Sequence, residues 1–475
     1  MKFNKIHLLL LFVALAYGCK KDLGNYTYHS PVDPICDIAA KTFPAIEGDS
    51  LILRPQVLYA GGNILKDLTY KWEITFVDSL RTDVYYGYPL RMVYNLPPGV
   101  RGARLTITAK ATGIQYFYTF NINGITQYSL GTAVLSVDGG VTKFTFVEPD
   151  NKTMQADIYA ALNKQILPAN PVELYAHHYP LQTGNKGVDQ YWIMCNDPAK
   201  GSVIVDATTL LKKGDFKSQF LSPPTTIIPG HFEDSLGVTN GVINGKLWFG
   251  ITSTAFFATD YGKFGGPQLG NYTMSPFFMQ TWGYTFGFDT TAGAFISFDG
   301  GGGFHGSDYV VDGDAFDPTN TGMHNLLYMQ PKPGTTYAFL KADNGTIYEY
   351  SFLVSLDDYN NRTISPQYKR VFAGASLVQP DTKWQTTIDN IFYFTSNNAI
   401  YRYNPLNQDL RTLNTDMGGK KVTMLKLSAD GKTLMAGVDG QIYFIDVRIG
   451  NDGSTFTQPT ISGIPGTPVG AITLQ

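Results

Sequence analysis

From about residue 126 onward the chain repeats itself, and this repeat limits the fold more than any other feature. Each unit is an apolar strand, a turn made of Gly, Asn or Asp, and a second strand that ends near Asp or Asn. Residues 133–138 are followed by 141–147, 191–194 by 201–206, and 247–250 by 255–258. Residues 294–299 sit beside the glycine run 300–303, and 337–340, 391–394 and 433–436 are followed by 345–350, 399–404 and 440–446. With Val134, Trp192, Leu247, Ile296, Ala338, Phe392 and Leu434 as markers, seven copies recur about 40–60 residues apart. Four strands take about 40–50 residues, and one small sheet cannot bury both of its faces, so such units stack in a ring. Residues 126–475 are therefore expected to form a β-propeller of seven blades, with six and eight left open. Residues 460–464 or 471–474 would supply a closing strand.

The preceding stretch, 36–125, alternates like short strands. In 68–76 the period is two, with Leu68, Tyr70, Trp72, Ile74 and Phe76 on one face. Residues 50–57 read as another strand, and 104–109 with 116–121 as a hairpin. Several strands around one central Trp predict a β-sandwich. The whole chain is thus expected to be all-β. Charged residues make up only 16% and aromatics 14%, with 49 Gly, a mixture that favours strands and tight turns. The net charge of −3, with no dense Lys/Arg block after the first residues, argues against a nucleic-acid partner.

The first residues read as an export signal. Met1, Lys2 and Lys5 precede the apolar run 7–16, which is too short to span a bilayer. Ala16-Tyr17-Gly18-Cys19 then reads as a lipobox, although Tyr17 departs from the usual pattern, and an ordinary secretory signal is the alternative. Lipid on Cys19 would anchor the protein to a membrane. The expected layout is a signal peptide at 1–18, a lipidated tether at 19–35, the sandwich at 36–125 and the propeller at 126–475. Cys36 and Cys195 have no CxxC partner and read as two separate buried thiols, with a disulfide between them left open.

Residues 19–26 (CKKDLGNY), the Trp-centred sandwich and the Gly-x-Ile-Tyr repeats together resemble the PKD-like family lipoproteins of Bacteroidota. Tyr70-Lys71-Trp72 matches the family's Trp strand, while its usual Phe-Gly-Asp-Gly continuation is replaced by Glu73-Ile74-Thr75-Phe76. The resemblance implies a PKD/Ig-like sandwich in an outer-membrane lipoprotein that faces the cell exterior. It also implies a SusC/SusD-like importer as neighbour, and it brings no catalytic motif to carry over.

Two segments stand out as candidate sites. The loop 298–324 holds Asp299, His305, Asp308, Asp312, Asp314, Asp317 and His324, but lacks the order of a calcium loop. It reads better as a polar loop that uses Asp and Gly for turns. The segment 261–288 is rich in aromatics, among them Trp282 and Tyr284, and is expected to be an insertion whose aromatics either offer a stacking platform or fill the insertion's own core. Trp282, Tyr284, His305, Asp308, Asp312 and Asp314 are the ligand-binding candidates, with Trp282 and His305 expected on one face of the ring. His177, and His231 with Glu233 and Asp234, read as structural. The chain has no Gly-x-Ser-x-Gly elbow and no His-Glu-x-x-His, so no catalytic residue, metal or cofactor is assigned. The expected function is non-enzymatic capture of an oligopeptide or glycan. The alternatives are a polysaccharide hydrolase or lyase, drawing acid and base from Asp308, Asp312, Asp314 and His305, and a docking scaffold.

Overall fold

The computed structural model describes residues 32–474 apart from 77–80, 178–187, 236–237, 256–257, 282, 331, 333, 357–360, 429, 452 and 456–459. The chain divides into two compact units, Met1–Gly124 and Ile125–Gln475. Among the described residues no helix is long and apolar enough to cross a membrane.

The first unit is a β-sandwich. One layer is a five-stranded sheet in the order Thr42–Ile46, Gln115–Ile125, Gly99–Ala109, Leu68–Phe76, Arg81–Tyr86. The other layer is two strand pairs, Ile35–Cys36 with Val57–Leu58 and Ser50–Leu53 with Leu90–Val93. The period-2 reading is realised from Leu68 to Ile74, the Phe76 side chain lying outside the described residues: Leu68, Tyr70, Trp72 and Ile74 are all buried in one core with Leu51, Leu53, Leu90, Leu105 and Phe120. The indole of Trp72 meets the Phe120 ring edge-on and donates to the carbonyl of Gly87. Strand 50–57 is shorter than expected, because Pro55 lacks an N–H and the chain breaks between Leu53 and Val57.

The second unit is a seven-bladed propeller. Six blades are built from consecutive antiparallel strands. Blade 2 runs Pro171–His177, Gln190–Cys195, Val203–Asp206, Lys212–Asp215 from the inside outward. Blades 3 to 7 begin with the inner strands Pro229–Ser235, Met274–Gln280, Asn325–Met329, Trp384–Thr386 and Met424–Leu427. Blade 1 is different: Gly131–Asp138, Val141–Val147 and Met154–Gln155 take their inner strand from Thr467–Leu474 at the far end of the chain. This strand closes the ring, and Ile461–Ser462 pairs instead with Gln441–Asp446 of blade 7.

Each blade is buried on both sides, so its middle strands read as unbroken apolar runs rather than alternating ones. In Gln190–Cys195 every residue is buried. Tyr191 and Ile193 pack with Phe144 and Phe146 of blade 1, while Trp192 and Met194 pack with Phe232 and Trp248 of blade 3. Similar cores join the other neighbours, ending with Met435 and Ile442 of blade 7 against Val134 and Ala471 of blade 1.

Two sequence expectations are corrected here. The aromatic segment 261–288 is not an insertion: it holds the outer strand of blade 3, Phe264–Pro267, and the first two strands of blade 4, Met274–Gln280 and Tyr284–Asp289. Consequently the markers Leu247 and Ile296 lie on third strands, whereas Trp192, Ala338, Phe392 and Leu434 lie on second strands.

One ion pair sits inside this packing. Glu349 of blade 5 is fully buried and accepts from Tyr368 (2.6 Å), from Arg370 Nη2 (2.7 Å) and from the hydroxyl of Tyr403 in blade 6. Burial first, then the adjacent Glu349 carboxylate, pushes both tyrosine hydroxyls well above their ordinary range. Cys36 and Cys195 are free and buried, and burial raises the Cys195 thiol to about 12.

Candidate functional site

An inner strand has a blade on one side and the ring's central opening on the other, so its channel-facing positions need not be apolar. All seven inner strands line one cavity of about 450 Å³. Blade 2 contributes Glu173, blade 3 His231 and Glu233, and blade 4 Phe277. Tyr328 and Lys332 come from the inner strand of blade 5 and the turn after it. Lys383 and Gln385 come from blade 6, and Lys426 from blade 7. At Gly470, in blade 1, a side chain would meet the Leu174 Cβ at 2.9 Å, so the two innermost backbones can approach this closely only with glycine there.

His231 is the centre of the charge arrangement. Its Nε2 lies 2.6 Å from Glu233 Oε1 and its Nδ1 3.4 Å from Glu173 Oε1. Its ring keeps 30% of its surface open, but that surface faces the cavity rather than bulk water. Burial alone would favour the neutral ring; the carboxylates of Glu173 and Glu233 outweigh it and raise the imidazole to about 10. The imidazole is thus held in its charged form between two glutamate side chains. Oε2 of Glu173 is buried and has no hydrogen-bond partner among the described residues.

Lysines stand on the other side. The Lys332 ammonium donates to the carbonyl of Thr386 at 3.3 Å. Its pKa is lowered by burial, against the opposing pull of Asp389 and Glu233. Lys383 and Lys426 are exposed at the cavity wall. Blades 5, 6 and 7 are consecutive, and in a ring of seven blade 2 lies opposite blades 5 and 6. The cavity is therefore acidic on one wall and basic on the facing one. Aromatic edges complete it: Phe277 packs on Tyr328 at 5.1 Å, and Tyr328 stacks on Trp384 at 5.5 Å.

The residues singled out from sequence lie elsewhere. Cys19 and Trp282 fall outside the described residues. Tyr284 is not on a binding face: it faces blade 5 with Phe286 and Phe288, is buried, and donates to the carbonyl of Val354 at 3.2 Å. His305 is on Phe304–Gly306, the outer strand of blade 4, and not at the mouth of the ring. It lies 3.2 Å from Asp299, whose other oxygen accepts from the N–H groups of Gly301 and Gly303. The glycine run thus wraps a carboxylate, and these hydrogen bonds hold Asp299 below its usual range in spite of its burial. Asp308, Asp312 and Asp314 are exposed in the segment that passes to the rim of blade 5, where Val310–Val311 pairs with the outer strand Arg362–Val371. Among the described residues no group of three or more His, Cys, Asp or Glu side chains could hold a metal ion.

The sequence reading took His231 and Glu233 as structural and did not single out Glu173 or the three lysines. One signal was available. A His and a Glu two positions apart in an extended segment point to the same side of it. A polar pair on one side of an inner strand marks a face turned toward water or a ligand.

Solved structures of low identity are similar to this chain. A quinonprotein alcohol dehydrogenase-like protein of Bacteroides thetaiotaomicron is 13% identical, with a TM-score of 0.44 over 93% of this chain and 99% of that one. A candidate 6-phosphogluconolactonase of Bacteroides uniformis is 13% identical, with a TM-score of 0.40 over 73% of this chain and 99% of that one. No curated protein matches the chain. Residues 19–171, which begin at Cys19 and include the Trp72 strand, match the model of the PKD-like family, the resemblance that CKKDLGNY and the Trp strand carried.

Proposed function

We propose that this protein is a surface-exposed outer-membrane lipoprotein, anchored through Cys19, whose propeller captures a small ligand in its central cavity for a SusC/SusD-like importer. The observation that carries the reading is the convergence of all seven inner strands on one cavity with charged and aromatic walls. Its volume of about 450 Å³ lies in the range of about 300–1,000 Å³ typical of ligand sites. The lipobox and the PKD-like match support the anchored placement. The capture reading is favoured over the hydrolase or lyase reading because His305, Asp308, Asp312 and Asp314 lie along the rim and not around a cavity.

Two measurements test it. Cys19→Ser should abolish incorporation of labelled palmitate in cells, and undiminished labelling would remove the anchor. For capture, the full-length protein in detergent is incubated with a peptide digest and with an oligosaccharide mixture, and bound species are read by native mass spectrometry. Binding that Lys383→Trp blocks at the cavity wall supports the reading. Binding that this variant leaves unchanged, or conversion of the added compounds to products, overturns it.

A further inference from the structure

The sharpest chemical feature of the cavity is the segregation of its charges. Two carboxylates with one imidazolium occupy blades 2 and 3, and three lysines occupy blades 5, 6 and 7. A charge removed from water needs a partner; on the basic wall this applies to the partly buried Lys332, while Lys383 and Lys426 are exposed. Within the protein these needs are only partly met. Glu173 and Glu233 share the His231 ring, and one oxygen of Glu173 has no partner among the described residues. Lys332 donates to a single carbonyl with its three donor positions, and Asp389 and Glu233 act on it only through space. A neutral glycan offers hydroxyls but no compensating charge to either wall.

From this we infer that the cavity takes a zwitterion with its charges at opposite ends, namely a short peptide with free termini. Its ammonium group lies against Glu173 and Glu233, and its carboxylate against Lys332, Lys383 and Lys426. The inference rests on the capture reading above and narrows it from oligopeptide or glycan to a class defined by two free termini. The backbone between the termini would lie along Phe277 and Tyr328, which join the two walls through blade 4.

Trialanine, its N-acetyl form, its C-terminal amide and maltotriose separate the outcomes when titrated against the full-length protein in detergent. A charge-assisted hydrogen bond supplies enough free energy for about a tenfold change in affinity, so each blocked peptide should bind about tenfold more weakly than trialanine. In Glu173→Gln/Glu233→Gln the penalty for acetylation should vanish while that for amidation remains. Lys383→Gln/Lys426→Gln, which changes only exposed side chains, should do the reverse with the fold intact by thermal melting. Equal binding of blocked and free peptides, or preferential binding of maltotriose, overturns the inference and leaves the capture reading standing. Absence of binding by all four probes overturns it as well, and the mixture experiment above then decides the capture reading separately.

Discussion

The channel wall and the outer rim of this propeller both carry acidic residues and histidines, yet they treat them differently. On the rim, Asp308, Asp312 and Asp314 are exposed and water solvates them at no structural cost. Asp299 is held by the backbone of its own loop and by its neighbour His305. In the channel, Glu173 and Glu233 come from different blades, separated by about sixty positions of sequence, and meet on one imidazole. Between blades 5 and 6, Glu349 has no contact with water and is satisfied wholly by protein donors. Local density of polar residues thus marks a solvated loop, while isolated polar residues set among apolar strands mark places where the ring brings distant charges together.

The largest effect expected from breaking this contrast is at Glu349. Glu349→Ala removes the carboxylate shared by Arg370, the half-buried Tyr368 and the buried Tyr403, leaving Arg370 the Pro405 carbonyl and the Tyr403 hydroxyl, and the loss of one partner from a buried ionic network costs about 3 kcal/mol. Chemical denaturation should show that loss, and a change below about 1 kcal/mol would mean that water replaces the carboxylate.

The channel should reveal itself through pH. His231 has its folded-state pKa raised from 6.5 to about 10, so its contribution to stability is complete below 6.5 and disappears as pH rises toward 10. The melting temperature should therefore fall across this window, and by less in Glu173→Gln/Glu233→Gln. Parallel curves for the two proteins would show that the imidazole is not held charged.

A smaller effect is expected on the rim. Asp299→Ala removes two backbone hydrogen bonds of a partly exposed turn and should cost about 1 kcal/mol in denaturation, with ligand capture unchanged. The smallest belongs to Asp312→Asn and Asp314→Asn, which should stay within about 0.5 kcal/mol of the parent and bind as it does. A loss of binding in either would move the functional site from the channel to the rim.

The fold was largely legible because its determinants are local. Apolar runs such as Tyr191–Trp192–Ile193–Met194, separated by Gly, Asn and Asp turns, specify strands buried on both faces whatever their neighbours are. The alternation from Leu68 to Ile74 did the same for the sandwich. Where aromatics were dense, as in 261–288, composition suggested a loop, but Phe264 is ordinary packing between blades 2 and 3, and Met274, Phe278 and Phe286 between blades 3, 4 and 5. The site was less legible for a geometric reason. Glu173, His231, Lys332, Lys383 and Lys426 span most of the repeat region, and only ring closure assembles them.

That closure has a consequence for how the protein is made. Thr132 meets Thr473 across 341 positions, and the inner strand of blade 1 is the last strand described. Pairing over so long a span pays its entropy before any contact rewards it, so it falls at the end of folding. A chain still emerging from the ribosome, or still being threaded through an export pore, therefore has no finished cavity. The edge of Gly131–Asp138 stays open to strands of other chains until Thr467–Leu474 arrives. A closed cavity and a covered strand edge are thus acquired in a single late event, timed by the arrival of eight residues.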